Sequence, residues 1–240
     1  KLMSLSISRE YKSPNFNHRK DISILDTIII HYTGMKSAEL ALNYMCNKES
    51  KVSAHYFINQ DGKIWQLVDD SNLAWHAGVS QWLKRKNLNE TSIGIELENP
   101  GHKNDYKLFS PNQYRSLEKL IELLMTKYDI KKDRILGHSD IAPSRKSDPG
   151  EKFDWHRLAK KDLAIWPNEI VSVPEALKSD KLLYNLLLEI GYDAKNHFKP
   201  SLVAFKRHFI PKDITEDTNE LVINVAYSVC KAFIKVRALY

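Results

Sequence analysis

The run Ile24-Leu25-Asp26-Thr27-Ile28-Ile29-Ile30-His31 constrains the fold more than any other stretch of this chain. It is rich in β-branched residues and too short for a buried helix, so it reads as an interior strand. An imidazole ends it, and Thr33-Gly34 breaks the chain just beyond. A second short run, Arg134-Ile135-Leu136-Gly137-His138, has the same form and also ends in histidine. Ligands in open α/β sheets collect at the carboxyl edge of the strands, so both imidazoles are expected at one such edge.

The stretches between these runs alternate. Residues 38–46 carry a helical pattern, and Ala54–Asn59 and Lys63–Val68 read as strands. The turn Asn59-Gln60-Asp61-Gly62 between them is a hairpin signal. Thr91–Glu98 alternates apolar with polar and predicts another strand. Ser110-Pro111-Asn112-Gln113 predicts a helix start, with Ser as cap, Pro in the first turn and Gln completing a capping box. That helix would line up Leu117, Leu120, Ile121, Leu124, Met125 and Tyr128. Strands interleaved with helices predict an α/β domain, preceded by a polar arm over residues 1–23 and closed by Trp166-Pro167.

Residues 168–178 read as a linker, and 179–240 as three helices. Leu182, Leu183, Leu186, Leu187 and Ile190 stripe the first, which stops at Gly191. Pro200 opens the second. Asp217-Thr218-Asn219-Glu220 reads as a capping box opening the third. The expected organisation is a domain over 1–167, a linker, and a small helical bundle.

Composition excludes some functions. Net charge is +6 and scattered, without a basic cluster interleaved with aromatics, so nucleic acid is not an expected partner. No apolar run reaches the roughly eighteen residues a membrane-spanning helix needs. The opening Lys1-Leu2-Met3-Ser4-Leu5 is too polar for an intact signal peptide, and a start at Lys fits a leader already removed. Cys46 and Cys230 lie far apart in helical patterns and read as buried free thiols. No Gly-x-Ser-x-Gly elbow or phosphate loop occurs.

The chemistry concentrates between Gly137 and Gly150, where His138, Arg145, Lys146 and Asp148 share one loop. With His31 they suggest a zinc site of three protein ligands, His31, His138 and Asp148, leaving one open position. Lys146 could hold a developing oxyanion. Glu96, alternating with Ile95 and Leu97, faces away from their apolar layer and could take a proton from water. His55, Trp75 and His76 form a second polar-aromatic set, suited to a sugar or peptide, or else a packed Trp with an incidental His.

Five blocks carry a family resemblance: Ile28–Thr33, Ser53–Ile58, Ala74–Gly78, Ser92–Glu98 and Gly137–Pro143. In this order they resemble the zinc-dependent N-acetylmuramoyl-L-alanine amidases of the AmpD/AmiD type, whose fold is shared with phage amidases and peptidoglycan recognition proteins. The resemblance spans residues from about 10 to 167. It implies a mixed central sheet flanked by helices, and one Zn2+ per chain on His31, His138 and Asp148. It implies Glu96 as the water-activating carboxylate and Lys146 as the oxyanion stabiliser. The implied substrate is peptidoglycan or a muropeptide, cut between N-acetylmuramic acid and L-alanine. His55, His76, Asn99 and Arg145 are the residues it suggests for substrate contacts. Ala54 stands where some relatives place a Tyr, which puts the weight on Glu96.

Leu187–Tyr192 and Val203–Phe209 resemble the "hydrophobic-Gly-Tyr" and "Ala-Phe-Gln" signatures of a three-helix peptidoglycan-binding module, with Lys206 in place of the Gln. That module implies action in the periplasm or cell envelope rather than in cytosolic recycling. The alternative is a non-catalytic peptidoglycan recognition protein on the same scaffold.

Overall fold

The structure is a computed structural model, described here over residues 5–240. Ten strands and seven helices follow one another. They are β1 (Ile7–Ser8), β2 (Phe16–His18), β3 (Thr27–Tyr32), α1 (Ala38–Met45), β4 (Tyr56–Ile58), β5 (Ile64–Gln66), β6 (Asn72–Ala74), β7 (Gln81–Trp82), β8 (Arg85–Lys86) and β9 (Ser92–Leu97). Then come α2 (Pro111–Tyr128), β10 (Ile135–Gly137), α3 (His138–Ile141), α4 (Trp155–Ala159), α5 (Asp180–Ile190), α6 (Phe198–Phe209) and α7 (Glu220–Arg237).

Six strands make one mixed sheet in the order β1-β5-β4-β9-β3-β10. Only the β4–β5 hairpin is antiparallel; the other pairs are parallel. A sheet of this kind needs cover on both faces, and the alternation along β3 shows how it is met. Ile28 and Ile30 point into a cluster with Leu117, Leu120 and Ile121 of α2. Ile29 points the opposite way, into a cluster with Trp82, Leu136, Tyr192, Phe205 and Phe209. The C-terminal helices therefore supply the second layer over this part of the sheet. Residues 168–178 are tied down too: Val171 and Val173 donate their N–H groups to Ser228 and Asn224 of α7.

The local signals act largely where the residues place them. Ser110 and Gln113 form the reciprocal capping box of α2, and Gly191 ends α5. Several details differ from the sequence expectation, among them that α6 opens at Phe198 rather than at Pro200. The strand opens at Thr27, not Ile24, because Asp21 caps a short 3-10 turn over Ile22–Ile24. The cap of α7 is Asn219, whose side chain accepts from Val222 N–H, rather than Asp217. Cys46 is only partly buried, at the end of α1; Cys230 is buried, and burial pushes its thiol up to about 11. The described part of the polar arm is built into the fold: β1 forms a sheet edge, and Arg19 donates to the backbone oxygens of Asp70, Asn72 and Ser92.

Lys206 is fully buried in α6. Its ammonium donates to Asp213 Oδ2 at 3.0 Å, to Thr215 Oγ1 at 3.2 Å and to Asp217 O. It closes the α6–α7 loop and presents nothing to solvent. No helix among the described residues is long and apolar enough to cross a membrane.

Candidate metal centre and active site

Register brings the site together. His31 and Glu96 are direct neighbours across β3 and β9, so they share a face of the sheet. Gly137 pairs with Ile30, which delivers His138 beside His31 at the strand ends. The loop that leaves with His138 returns with Asp148, and Ser139 N–H donates to Asp148 O at 2.8 Å to close it.

His31 Nδ1, His138 Nδ1 and Asp148 Oδ2 form a nearly equilateral triangle with edges of 2.9, 3.1 and 3.0 Å. All three residues are buried. The other nitrogen of each imidazole is already engaged. His138 Nε2 donates to Ala77 O at 3.1 Å, which leaves its Nδ1 as a bare lone pair. For His31 the proton count runs through three groups. Ser92 Oγ gives its one proton to Leu88 O at 2.5 Å, so it accepts from His76 Nε2–H at 3.2 Å. His76 Nδ1 then accepts from His31 Nε2–H at 2.9 Å, and His31 Nδ1 faces the triangle unprotonated. Two bare imidazole nitrogens and a carboxylate oxygen, all turned to one point, have the donor chemistry that zinc takes, and the outer hydrogen bonds set their orientation. Among the described residues this is the one such His/Cys/Asp/Glu group.

Charge states agree with the donor set. Burial pushes His31 down to about 4, so it is neutral at physiological pH. Burial alone would raise Asp148, but His138 and His31 hold its carboxyl well below the usual range. Burial pushes the Glu96 carboxyl up to about 8, aided by the Asp148 charge and opposed by Lys146. Glu96 Oε2 is shielded and has no hydrogen-bond partner.

The triangle, Glu96 and Lys146 line one cavity of about 690 Å3. Trp75 and His76 line it as well. The Trp75 indole donates to Asn17 Oδ1 at 2.6 Å, so the arm fixes that wall. Arg145 also lines the cavity, but its guanidinium donates to Ala77 O and Val79 O and so fastens two loops together. The structure does not bring His55 and Asn99 to the cavity. His55 is fully buried behind it, accepting Gly94 N–H at Nδ1 and facing Asn72 O at Nε2. Asn99 is buried with its side chain on Lys107 O and Gly101 N–H.

Two features escaped the sequence reading. His76 is the outer partner of His31 as well as a wall residue, and Gly94 makes room for it: a Cβ there would lie 2.5 Å from the ring. Tyr32 OH meets His102 Nδ1 at 2.8 Å, and His102 Nε2 meets Glu151 at 3.0 Å, along the rim of the cavity. Residues 32, 102 and 151 share no motif, so no local signal links them.

Two predictions arise here. His76→Phe or Ser92→Ala breaks the proton count that orients His31. Metal affinity in a chelator competition is expected to fall by about 10–100-fold, the usual scale for outer partners of metal ligands; unchanged affinity would refute the relay. The second concerns acid. His31 and His55 ordinarily titrate near 6.5 and are held near 4 by burial. The unfolded chain binds their protons first, so their stability contribution is complete above 6.5 and is lost as pH falls towards 4. Each can steepen the loss by up to about 1.4 kcal/mol per pH unit. Urea midpoints of the metal-free protein across that window check this, and a flat profile would contradict it.

Comparison with known proteins agrees with the geometry. The family model described as N-acetylmuramoyl-L-alanine amidase matches residues 20–151. The N-acetylmuramoyl-L-alanine amidase AmiD of Escherichia coli K12 is 35% identical over 211 residues, covering 78% of this chain and 75% of AmiD. The 1,6-anhydro-N-acetylmuramyl-L-alanine amidase AmpD of Haemophilus influenzae is 36% identical over 171 residues, covering 64% of this chain and 91% of AmpD. The structure of E. coli AmiD with anhydro-N-acetylmuramic acid-L-Ala-D-γ-Glu-L-Lys superposes with a TM-score of 0.78 at 31% identity, over 87% of this chain and 89% of that one. AmpDh3 of Pseudomonas aeruginosa with anhydromuramic pentapeptide gives 0.79 at 26% identity, over 96% and 98%. With the fold, the His-His-Asp triangle and these matches in agreement, the chain belongs to the N-acetylmuramoyl-L-alanine amidase family.

Proposed function

We propose that this protein hydrolyses the amide between the lactyl group of N-acetylmuramic acid, or its 1,6-anhydro form, and L-alanine of the peptidoglycan stem peptide. The observation that carries the reading is the buried triangle of His31, His138 and Asp148 beside an unpartnered Glu96 in one cavity. His31, His138 and Asp148 would hold one zinc ion. Bound there, zinc would supply the Lewis acidity that polarises the scissile carbonyl and makes water acidic enough to attack near neutrality.

The remaining work falls to side chains of this chain. Glu96 takes a proton from the attacking water as its oxygen bonds to the lactyl carbonyl carbon. A carboxyl pushed up to about 8 by burial holds that proton readily, and a cation at the triangle draws the value back towards neutrality. As the C–N bond breaks, Glu96 returns the proton to the alanine nitrogen, which leaves as the amine. Lys146, at the cavity mouth, offers its ammonium to the carbonyl oxygen as negative charge develops. Trp75 and Tyr32 wall the space where sugar and peptide lie. The site of action on this reading is the periplasm or cell envelope, where wall material is found; cell fractionation tests it, and a wholly cytosolic protein would count against it.

Metal analysis combined with mass spectrometry of a muropeptide digest tests the function. About one zinc per chain, with chelator-sensitive release of free stem peptide, is the expected result. Binding of muropeptide without zinc and without cleavage would instead make this a recognition protein.

A further inference from the structure

The signature residues of the C-terminal helices are turned inward. Tyr192, Ala204, Phe205 and Lys206 are all buried. Gly191 has φ +139°, and a Cβ on it would lie 2.5 Å from the Trp82 ring. Its carbonyl accepts Leu83 N–H at 2.8 Å. The Gly-Tyr pair is thus a docking point on the sheet domain and offers a glycan no surface.

Where it docks matters. Asp140 lies in α3, the single turn that begins with His138. It is 1% exposed. Its Oδ2 accepts Gly137 N–H at 2.7 Å and His208 Nδ1–H at 2.9 Å, and its Oδ1 accepts Tyr192 O–H at 2.8 Å. Two of its three donors come from the C-terminal segment, Tyr192 from the α5–α6 connection and His208 from α6. His208 itself is held flat between Trp155 at 3.9 Å and Phe209 at 4.0 Å. A buried carboxylate sits where its donors are, so these side chains set the rotation of the turn. The same turn carries His138 and, through Ser139 N–H, the backbone of Asp148.

We propose that the C-terminal helices brace the metal site: Tyr192 and His208 are positioning residues that act through Asp140 on His138 and Asp148, so metal retention depends on a segment that contributes no ligand. The inference rests on the zinc reading above. Its test uses the full-length, zinc-loaded chain in chelator competition, with thermal stability measured alongside. Tyr192→Phe and His208→Leu are each expected to weaken zinc about tenfold or more, as loss of an outer support does. Their effects should not add, because they share one carboxylate. His208→Asn keeps a donor near the Nδ1 position and is expected to restore most of the affinity. Val229→Ala, buried inside the bundle on α7, is the control: it lowers thermal stability and leaves zinc affinity unchanged. Zinc affinity that follows thermal stability across all variants, Val229→Ala included, would reduce the brace to general stabilisation and overturn it. Unchanged zinc affinity in Tyr192→Phe, with weakened pelleting on purified sacculi, would overturn it in favour of a glycan contact. A parent chain that takes up no zinc overturns the metal reading itself, an outcome distinct from variants that hold zinc as tightly as the parent.

Discussion

Glu96→Gln is expected to lower turnover by at least about a hundredfold while the protein keeps its zinc, the scale of losing a general base. Gln has nearly the shape of a protonated carboxyl, so it fits the shielded slot beside the triangle. It cannot accept the water proton. Steady-state rates on a defined muropeptide, with zinc measured on the same sample, check this; full activity would remove Glu96 from the mechanism. The metal-free variant offers a second readout. Burial raises Glu96 from 4.5 to about 8, so the fold favours the neutral form. That contribution is whole below 4.5 and lost as pH rises through 8. The glutamine variant stays neutral, so above pH 8 the metal-free variant should be the more stable protein. Below 4.5 the two should agree.

Asp148→Ala is expected to have the larger effect on metal. It removes the one anionic member of the triangle and leaves two imidazole lone pairs 2.9 Å apart with no charge to balance a dication. Zinc affinity should fall by well over the roughly hundredfold that an outer partner costs, and turnover should fall with it. Elemental analysis after dialysis, beside the rate of stem-peptide release, decides the matter. A variant that retains zinc stoichiometrically would mean that another group completes the site.

These two residues also show what can be read from a linear chain. Glu96 was legible because strand alternation is local: with Ile95 and Leu97 inward, Glu96 must turn the other way, whatever lies beyond. His31 and His138 were legible because each ends a short apolar run, and a parallel sheet sends such ends to one edge. The α2 capping box was legible for the same reason, since its partners are three residues apart. His55, read from its neighbours and from the resemblance, and Asn99, suggested by the resemblance alone, lie outside the cavity lining. His55 lies within one block and Asn99 just after another, yet the pleat and the loop turn them into buried hydrogen-bond networks.

By itself, then, the chain's local pattern determined its elements, the α/β class, and the identity of the residues gathered at the strand ends, because period, capping and turn chemistry act over a few residues. Only the tertiary structure decided which tautomer His31 presents, since that depends on a proton count through His76, Ser92 and Leu88. It alone showed that Gly191-Tyr192 faces Trp82 and Asp140, because that contact joins segments about fifty to a hundred residues apart, and no local periodicity spans such a distance.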